Sequence, residues 1–378
     1  MSIFELSLNW SDGMDAPYHG VICARMEFGF ELQTEGASTM DITTIGFDLA
    51  KTVFQVHGSD GEGRPVLRRK LRRGKVLTFF AGLPSCLVGM EACASAHYWA
   101  REIRALGHEV RLIPPQYVRP FVKTNKNDAA DAEAICEAVT RPTMRFAPAK
   151  SAEQQSVLML HRARELLVRQ RTMVINALRG HCAEFGLIVA QGASRVEELV
   201  AIIEDPGDVR LPPLAREALG RLVEQLRSAQ ARIKALEATL LAWHRSNEAS
   251  RRLATIPGVG VITATALVAT IGDGAQFRSG RQLSAWLGLV PRQHSSGGKD
   301  RLGRISKRGD GYIRRLLVHG ARTVLRWRRA KPGTRPGWSD RLLARRPTNV
   351  VLVAMANKTA RIAWALLRYE RIYEPVSA

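Results

Sequence analysis

The chain has 378 residues, of which 46% are hydrophobic, so it is long enough for two or three domains with buried cores. Lys and Arg number 56 against 35 Asp and Glu, and the net charge of +21 predicts nucleic acid as the main partner. A membrane-surface protein is the alternative, but such proteins usually concentrate their charge beside an apolar helix.

The cysteines support neither a zinc site nor a disulfide framework. They are odd in number and scattered, and no two of them form a Cys-x-x-Cys pair. We therefore predict a reduced, cytoplasmic protein. The five residues are Cys23, Cys86, Cys93, Cys136 and Cys182.

Neither end of the chain predicts membrane insertion. The N-terminus lacks a basic stretch followed by an apolar core, so no cleavable signal is expected. The most apolar late stretch, residues 350–367, is interrupted by Asn357, Lys358 and Arg361, which makes it too polar for a span. Residues 1–39 carry a net charge of −5, which leaves +26 for the remainder. We interpret them as a disordered acidic arm or a start codon assigned too early, and exclude them from the fold.

Residues 40–145 are expected to form an α/β layer domain, because strand patterns come first and then alternate with helix patterns. The early strands are separated by a turn at residues 59–61, which predicts a meander. Pro114 and Pro115 stop the last strand. The predicted strands cover residues 42–59, 65–67, 87–90 and 110–113, and the predicted helices cover residues 74–83, 94–106 and 128–139.

Four acidic residues stand where these strands end and where the last helix begins: Asp48, Glu91, Asp128 and Asp131. Asp128 and Asp131 are three residues apart, so a helix presents both on one side. Buried carboxylates repel one another unless a cation lies among them, and hard oxygen ligands suit Mg²⁺. The four acids therefore predict a magnesium site for phosphodiester chemistry. The alternative for each acid is a solvated charge, and for Asp128 a helix cap.

Residues 146–250 change character and are expected to be helical. Residues 152–185 form one predicted helix, and Pro and Gly residues near 205–213 predict a hairpin to the next. Residues 214–243 repeat apolar side chains at steps of three and four, which is typical of a coiled-coil seam. One long helix folded against its own chain is the alternative. The seam comprises Leu219, Leu222, Leu226, Ala229, Ile233, Leu236, Leu240 and Trp243.

Residues 251–378 are expected to form a mainly helical DNA-binding domain. Sixteen Lys or Arg lie between Lys299 and Arg346 against three Asp. Gly258 and Gly260 follow Pro257 before a helix of small residues, and this turn is similar to the helix-hairpin-helix that approaches a DNA backbone. An ordinary packing corner between two helices is the alternative.

A cationic loop follows this turn. Ser295 and Ser296 precede Gly297 and Gly298, so a hydroxyl in this loop could be an exposed nucleophile, although such sequences are usually flexible loops. Several cations around the serines are candidates for contacting DNA phosphates. They are Arg292, Lys299, Arg301, Arg304, Lys307 and Arg308.

Taken together, these motifs resemble the DEDD transposases of bacterial insertion sequences. The matching segments follow the family order over about residues 42–370, and the Asn-Lys-x-Asp-x-x-Asp element is quite specific. The acidic first 39 residues lie outside the resemblance. The matching segments are residues 46–51, 90–93, 125–132, 256–260 and 295–297.

The resemblance implies an RNase H-like, RuvC-like domain in which Asp48, Glu91, Asp128 and Asp131 hold Mg²⁺. It implies that Ser296 attacks a DNA phosphate to form a covalent phosphoserine link. It also implies a structured RNA, encoded by the element, that pairs with donor and target DNA. Several protomers would assemble so that the metal and serine domains share a site, in bacterial cytoplasm at the nucleoid.

Two other functions fit parts of the sequence. A junction-resolving metal nuclease would use the same four acids with water as nucleophile, but it would not need the basic C-terminal region. A non-catalytic DNA-binding protein would use that region alone and would leave the acids unexplained.

Overall fold

The computed structural model describes residues 42–123, 127–330 and 337–374. The expectation for residues 1–39 lies outside these ranges, as do Asn125 and Lys126 of the second acidic segment. The described residues belong to one unit, Met40–Ala378.

A five-stranded mixed sheet organises the first region. Its strands are β1 (Thr44–Asp48), β2 (Val53–Ser59), β3 (Pro65–Arg72), β4 (Leu87–Glu91) and β5 (Glu109–Ile113). In space they follow the order β3-β2-β1-β4-β5; the first three pair antiparallel, and β1-β4 and β4-β5 pair parallel. The predicted meander and the two later strands are confirmed. Because β1 and β4 are parallel neighbours, their carboxyl ends lie at the same edge of the sheet.

Four helices accompany the sheet, three of them at the predicted positions. They are α1 (Val76–Ala81), α2 (Ala96–Ala105), α3 (Pro115–Val118) and α4 (Asp128–Val139). The short α3 was not predicted; it begins at Pro115, where proline suits the first turn of a helix.

The two faces of the sheet differ in chemistry, because successive side chains of a strand point to opposite faces. On one face, Phe47 of β1 stacks on Phe54, and both rings contact Trp99 of α2. We call this the aromatic face. On the other face, α4 packs across β1, β2 and β4.

Two glycines allow α4 to lie directly on the sheet. Gly46 of β1 and Gly89 of β4 are partners in the parallel register. A Cβ atom at Gly46 would lie 2.0 Å from the carbonyl oxygen of Ala132, and one at Gly89 would lie 2.8 Å from Cβ of Val139. We call the side of the sheet that carries them the glycine face. At Gly46 the strand therefore meets the backbone of α4, and at Gly89 it meets the Val139 side chain.

Replacing Gly46 with alanine is expected to destabilise the protein by about 3 kcal/mol or more, at the upper end of overpacking effects, because the clash involves backbone atoms of α4. Urea unfolding of the purified variant measures this loss. Gly74→Ala is the matched control, since a Cβ atom at Gly74 meets nothing within 4 Å. Equal stabilities of the two variants would contradict the close packing of α4.

The middle region contains two long helices that pack against each other. Its helices are α5 (Ala152–Ala183), α6 (Val196–Glu204) and α7 (Pro213–Ser246). The predicted seam on α7 is confirmed as a buried stripe, but its Leu219 and Leu226 lie in one core cluster with Val174 and Leu178 of α5. The seam is thus filled from its own chain, as the alternative interpretation expected.

The prediction of a simple hairpin between the long helices was wrong. The connection contains α6, which buries Val196, Leu199, Val200 and Ile203 in the same core cluster. These residues have the spacing of one helical face, so the apolar pattern was present in the sequence. Turn residues on both sides of this segment gave the stronger signal, so the helix was not predicted.

The last described region is mainly helical, as expected, with one short hairpin. Its elements are α8 (Glu248–Ala254), α9 (Val261–Ile271), α10 (Gly280–Trp286), β6 (Pro291–Gln293), β7 (Leu302–Ile305), α11 (Gly311–Arg329), α12 (Trp338–Leu343) and α13 (Thr348–Tyr369). The apolar α9 contacts α5, α7, α8 and α11, so it lies at the centre of the helical region.

The late apolar stretch corresponds to α13. With a mean hydropathy of 1.4 over 18 residues, this helix is long and apolar enough to cross a membrane, so the expectation that it is too polar was wrong by this measure. In the structure α13 packs against α10 and α11 and buries Val351, Ala356 and Ala363. Its apolar face therefore serves the core, and one such helix is weak evidence for a span.

Candidate active site

The four predicted acidic residues occupy one edge of the glycine face. Asp48 is the last residue of β1 and Glu91 is the last residue of β4. Each stands two positions after a glycine that contacts α4, so each points to the same face of the sheet as that glycine. Asp128 and Asp131 lie in the first turn of α4. The close approach of α4 thus brings carboxylates of a helix and of two strands to one place.

Three of the four carboxylates form a tight cluster. One oxygen each from Asp48, Asp128 and Asp131 lies within 4.8 Å of the others. Glu91 is outside this set but remains close enough to interact electrostatically with Asp48 and Asp131. The four acids were predicted to form one site from positions up to 83 residues apart in the sequence. The structure brings Asp48, Asp128 and Asp131 together and places Glu91 close to them.

Burial and mutual repulsion make the charged cluster unfavourable by itself. Burial first, and then the charges of Asp131, Asp128 and Glu91 in that order, raise the pKa of Asp48 from 3.8 to about 6. The backbone N–H of Leu49 donates to this carboxylate and acts in the opposite direction. Burial, and then Asp131, also raises the pKa of Glu91. A divalent cation coordinated by these oxygens would relieve the repulsion, so the residues present fit such an ion.

Asp128 is not the cap of α4. The cap is Asn127, whose side-chain oxygen accepts a hydrogen bond from the backbone N–H of Ala129 at 3.0 Å. The capping alternative for Asp128 was therefore wrong, and its carboxylate remains available as a ligand. Asp128 and Asp131 both lie in the first turn of α4, at the positive end of the helix dipole.

The sequence contains a signal for this geometry besides the acidic residues themselves. Both strands carry the pattern Gly-x-acid, as Gly46-Phe47-Asp48 and as Gly89-Met90-Glu91. A glycine in a strand often marks close approach of another backbone. The glycines therefore pointed to the surface on which α4 would lie.

The two serines lie in the connection of a short β-hairpin whose strand register is irregular. Strands β6 and β7 pair antiparallel, and the Lys299 N–H donates to the Ser296 carbonyl at 3.1 Å across the turn. Gly297 and Gly298 have φ values of 58° and 74°, as a two-residue type I′ turn requires. The glycines are thus explained by the turn, and Ser296 occupies its first corner.

The two serines differ in their hydrogen bonds. The Ser295 hydroxyl accepts from the backbone N–H of Arg301 at 3.2 Å and so helps to hold the two arms of the hairpin. The Ser296 side chain is exposed, and its hydroxyl makes no hydrogen bond within the described parts of the chain. Ser296 is therefore the hydroxyl that is accessible to a ligand.

Tyr312, a further hydroxyl in this region, is poorly suited to attack a phosphate. It is buried, and its oxygen lies 3.0 Å from Nδ1 of the buried His161 of α5. Burial is the main cause that raises the pKa of the phenol. Tyr312 joins α11 to α5 as part of the core.

All six predicted phosphate contacts in and after the hairpin are exposed. Arg292 donates from its guanidinium to the Ser306 carbonyl at 3.3 and 3.4 Å, which fixes one cation against the opposite arm. The acid in this segment, Asp300, accepts from Gln293 at 3.3 Å. A cationic surface therefore surrounds Ser296. The six residues are Arg292, Lys299, Arg301, Arg304, Lys307 and Arg308.

The predicted backbone hairpin lies between α8 and α9. Gly258 has a φ of 85°, and a Cβ atom there would lie 2.7 Å from the carbonyl oxygen of Gly320 in α11. Packing against α11 alone therefore explains this glycine, in line with the packing-corner alternative. Gly260 is exposed, and a Cβ atom there would meet nothing within 4 Å. Of the two glycines, Gly260 leaves its backbone open to solvent.

Among the described residues, no hydrogen bond or ion pair joins the acidic cluster to the serine hairpin. The two candidate sites are separate places on the chain, and each has its own chemistry. One can hold a cation, and the other presents a hydroxyl within a cationic surface.

Two family models match the chain. Residues 45–185, which include the sheet and α4, match the DEDD model of IS110, described as "Transposase". Residues 250–334, which include the hairpin, match the model described as "Transposase IS116/IS110/IS902 family".

Individual relatives match over nearly the whole length. A protein of Pseudomonas aeruginosa named "Probable family 20 transposase" is 54% identical over 337 residues, which is 89% of this chain and 100% of the relative. The "Transposase for insertion sequence element IS1111A" of Coxiella burnetii is 42% identical over 95% of this chain and 99% of its own. The "Transposase for insertion sequence element IS1328" of Yersinia enterocolitica is 43% identical over 86% and 97% respectively.

Proposed function

Because the chain belongs to the IS116/IS110/IS902 family of insertion-sequence transposases, and is thus an enzyme of DNA strand transfer, we propose that it exchanges strands with the acidic cluster and Ser296 acting together. The observation that carries the proposal is the cluster itself. Three carboxylates converge within 4.8 Å although burial and repulsion oppose their charge. Such an arrangement is costly for stability and is typical of a catalytic metal site.

In this proposal Asp48, Glu91, Asp128 and Asp131 hold Mg²⁺. When bound, the ion stabilises negative charge on phosphate oxygens and favours the deprotonated form of an attacking hydroxyl. The sheet order and the acids at the strand ends support an RNase H-like, RuvC-like architecture for this region. Asp48, the carboxyl group whose pKa is raised to about 6, is the central ligand.

Ser296 is the proposed nucleophile. Its Oγ forms a bond to phosphorus of a DNA phosphodiester while the bond to the leaving DNA oxygen breaks; the serine gives up its proton and the leaving oxygen receives one. Attack by a hydroxyl of another DNA end then restores the phosphodiester and frees the serine. Arg292 and Lys299 stabilise the charge that develops on the phosphate. Together these two steps join DNA strands without a net loss of phosphodiester bonds.

Further partners are proposed on the family resemblance and on charge. A structured guide RNA is proposed on the family resemblance, and the net charge of +21 suits a polyanionic partner. Assembly of several protomers would bring a metal site to a serine hairpin. Because the α7 seam is filled from its own chain, a stripe on α5 is the better candidate surface: Met159, Leu166 and Met173, seven residues apart, remain exposed. Action at the nucleoid, in the cytoplasm, accords with these partners.

A reconstituted reaction tests the proposal against the nuclease alternative. Purified protein, DNA that spans an element end, Mg²⁺ and RNA transcribed from the element's flanks are expected to give joined DNA products. A water-using nuclease would give cleaved ends that are never joined. Persistent cleavage without joining, under conditions where the DNA is bound, would overturn strand exchange by this chain; the relatives' names do not favour that outcome.

The hairpin cations are expected to set the salt dependence of DNA binding. Duplex affinity should fall linearly on a double logarithmic plot, with a slope of about −0.9 for each phosphate neutralised. Replacing Arg301 and Arg304 with glutamine should make the slope shallower by about 0.9 for each lost contact. Arg221→Gln on the exposed face of α7 is the control and should leave the slope unchanged. Fluorescence anisotropy over a salt series measures both, and equal slopes for all variants would argue against the hairpin as a DNA contact.

A further inference from the structure

A cavity of about 580 Å³ lies in the C-terminal region, away from both candidate sites. Its walls come from the turn before α9 and from α11, α12 and α13. The volume lies within the range of about 300–1,000 Å³ that is usual for ligand pockets. Pro257 and Gly258 of the turn form one wall, and the floor is apolar, with Ala321, Val324 and Met355.

Two indole rings line this cavity without being buried. Trp327 of α11 remains 57% exposed and Trp338 of α12 remains 41% exposed. Aromatic rings dominate the energy of interfaces because they offer a large rigid apolar surface, and exposed apolar surface rimmed by polar groups marks binding sites. The rings therefore favour a ligand with a flat, stackable group.

The charges around the cavity favour an anionic ligand. Arg328 and Lys358 are the charged side chains among the lining residues; Arg328 is paired with Asp340, so Lys358 supplies the positive charge for an anion. Lys358 Nζ lies over the Trp338 ring, 5.4 Å from its centroid, so a positive charge stands against one face of a stacking surface. A stackable ring next to an anion is the chemistry of a nucleotide.

The two tryptophans are held in fixed relation by an ion pair between their helices. Arg328, next to Trp327, donates to the Asp340 carboxylate at 2.8 Å. The same carboxylate accepts from the backbone N–H of Gly337 at 2.7 Å and so caps α12 at Trp338. A preorganised pair of rings loses little conformational entropy when a ligand binds.

We propose that this cavity binds an unpaired base of single-stranded DNA, stacked on Trp327 and Trp338, with an adjacent phosphate at Lys358. Proteins that bind single strands combine aromatic stacking surfaces with cationic grooves in this way. Bases inside a duplex are already stacked and cannot enter, whereas strand transfer exposes unpaired bases at the point of exchange. The site would hold a displaced strand near the hairpin turn of α8 and α9. It depends on the transposase identity of the chain but not on Ser296 or the metal.

The test measures binding of a single-stranded oligodeoxynucleotide that contains 2-aminopurine, a base whose fluorescence is quenched by stacking. Trp338→Ala in the full chain is expected to raise its Kd about 5- to 150-fold, the range for loss of one stacked base. The quenching should disappear together with the affinity. Trp338→Phe should retain most of both. Trp286→Ala is the matched control, because Trp286 is also 41% exposed but lies on α10, outside the cavity.

Comparisons with a duplex, with a second variant and with RNA decide the outcome. The duplex form of the same oligonucleotide should bind all variants alike, and Lys358→Gln should reduce the salt slope for the single strand by about 0.7. Equal losses on duplex and single strand, or wild-type affinity in Trp338→Ala, would overturn the proposal. Tighter binding of RNA of the same sequence, with the same dependence on Trp338, would overturn DNA as the occupant. The binding assay requires neither Mg²⁺ nor strand exchange, so its outcome is independent of the test of strand exchange.

Discussion

Replacing Ser296 with alanine is expected to abolish the covalent protein–DNA adduct and to reduce strand joining on the order of 10⁴-fold or more, as removal of other enzymatic nucleophiles does. The physical reason is that alanine offers no oxygen to form the bond to phosphorus. Folding should be preserved because the Ser296 side chain is exposed and the turn is set by its backbone and by Gly297 and Gly298. The adduct is measured on denaturing gels after incubation with cognate DNA, Mg²⁺ and any required RNA.

The neighbouring serine provides the control. Ser295→Ala loses one hydrogen bond to the Arg301 backbone, worth about 1 kcal/mol, so it should loosen the hairpin but keep at least part of the adduct. Peptide mapping should place the adduct on the peptide that contains Ser296. Comparison of Ser296→Ala with Ser295→Ala should then show which of the two hydroxyls forms the adduct. An adduct on Ser295 or Tyr312, or cleavage with no adduct at all, would contradict the mechanism.

The second large effect is expected for Asp48→Asn. A metal ion supplies several kcal/mol of charge stabilisation to such a reaction, so loss of a central ligand should slow DNA cleavage on the order of 10³-fold or more. Nucleic-acid binding should remain, since the cationic surface is elsewhere. Cleavage assays with Mg²⁺ measure the loss, and isothermal titration with Mg²⁺ should show weakened ion binding. Wild-type cleavage by the variant would remove Asp48 from the metal site.

The same variant has a second, opposite signature in stability. Metal-free Asp48→Asn should be more stable than wild type at neutral pH, by about 1–3 kcal/mol, because burial and three neighbouring charges oppose the Asp48 carboxylate. In wild type the folded state binds the proton more tightly than the unfolded state, so stability falls as pH rises from about 4 to about 6. The advantage of the variant should therefore appear across that window and vanish below it.

Asp60→Asn is the matched control for the stability measurement. Asp60 accepts a hydrogen bond from the Arg64 side chain, which is the main cause that lowers its pKa. Its removal should leave cleavage unchanged and should not stabilise the protein. Thermal unfolding in the presence of a chelator compares the two variants, and stabilisation by both would show that the effect is not specific to the acidic cluster.

The sequence predicted local structure well because its signals were local. Period-two alternation marked the meander, and Asp128 to Val139 was predicted with its observed bounds. The parallel pairing of β1 with β4 joins residues about 40 positions apart and left no local trace. The helix α6 was missed because Gly192 before it and Pro206 and Gly207 after it gave stronger turn signals than its nine residues gave helix signals.

The sequence was enough to predict which residues form the candidate site, but not how they are arranged. Acidic residues at the ends of strands and at a helix start suggested a shared site, whereas the separation of Glu91 from the tight cluster required the sheet register. The cavity of Trp327 and Trp338 could not be anticipated, since it depends on an ion pair between α11 and α12 and on a turn about 70 residues earlier. Trp327 and Trp338 are 11 positions apart in the sequence, and this spacing does not show that their rings line one cavity.

Mutations on the two faces of the sheet are expected to affect different properties of the enzyme, namely its stability and the spacing of its carboxylates. Substitutions among Phe47, Phe54 and Trp99 change the free energy of unfolding through the aromatic face, while the spacing of the carboxylates follows the contacts of Gly46 and Gly89 with α4. Mutations on the aromatic face can therefore destabilise the protein while the carboxylate spacing stays intact. Inactive copies that retain both Gly-x-acid patterns are therefore expected to regain function through stabilising mutations alone.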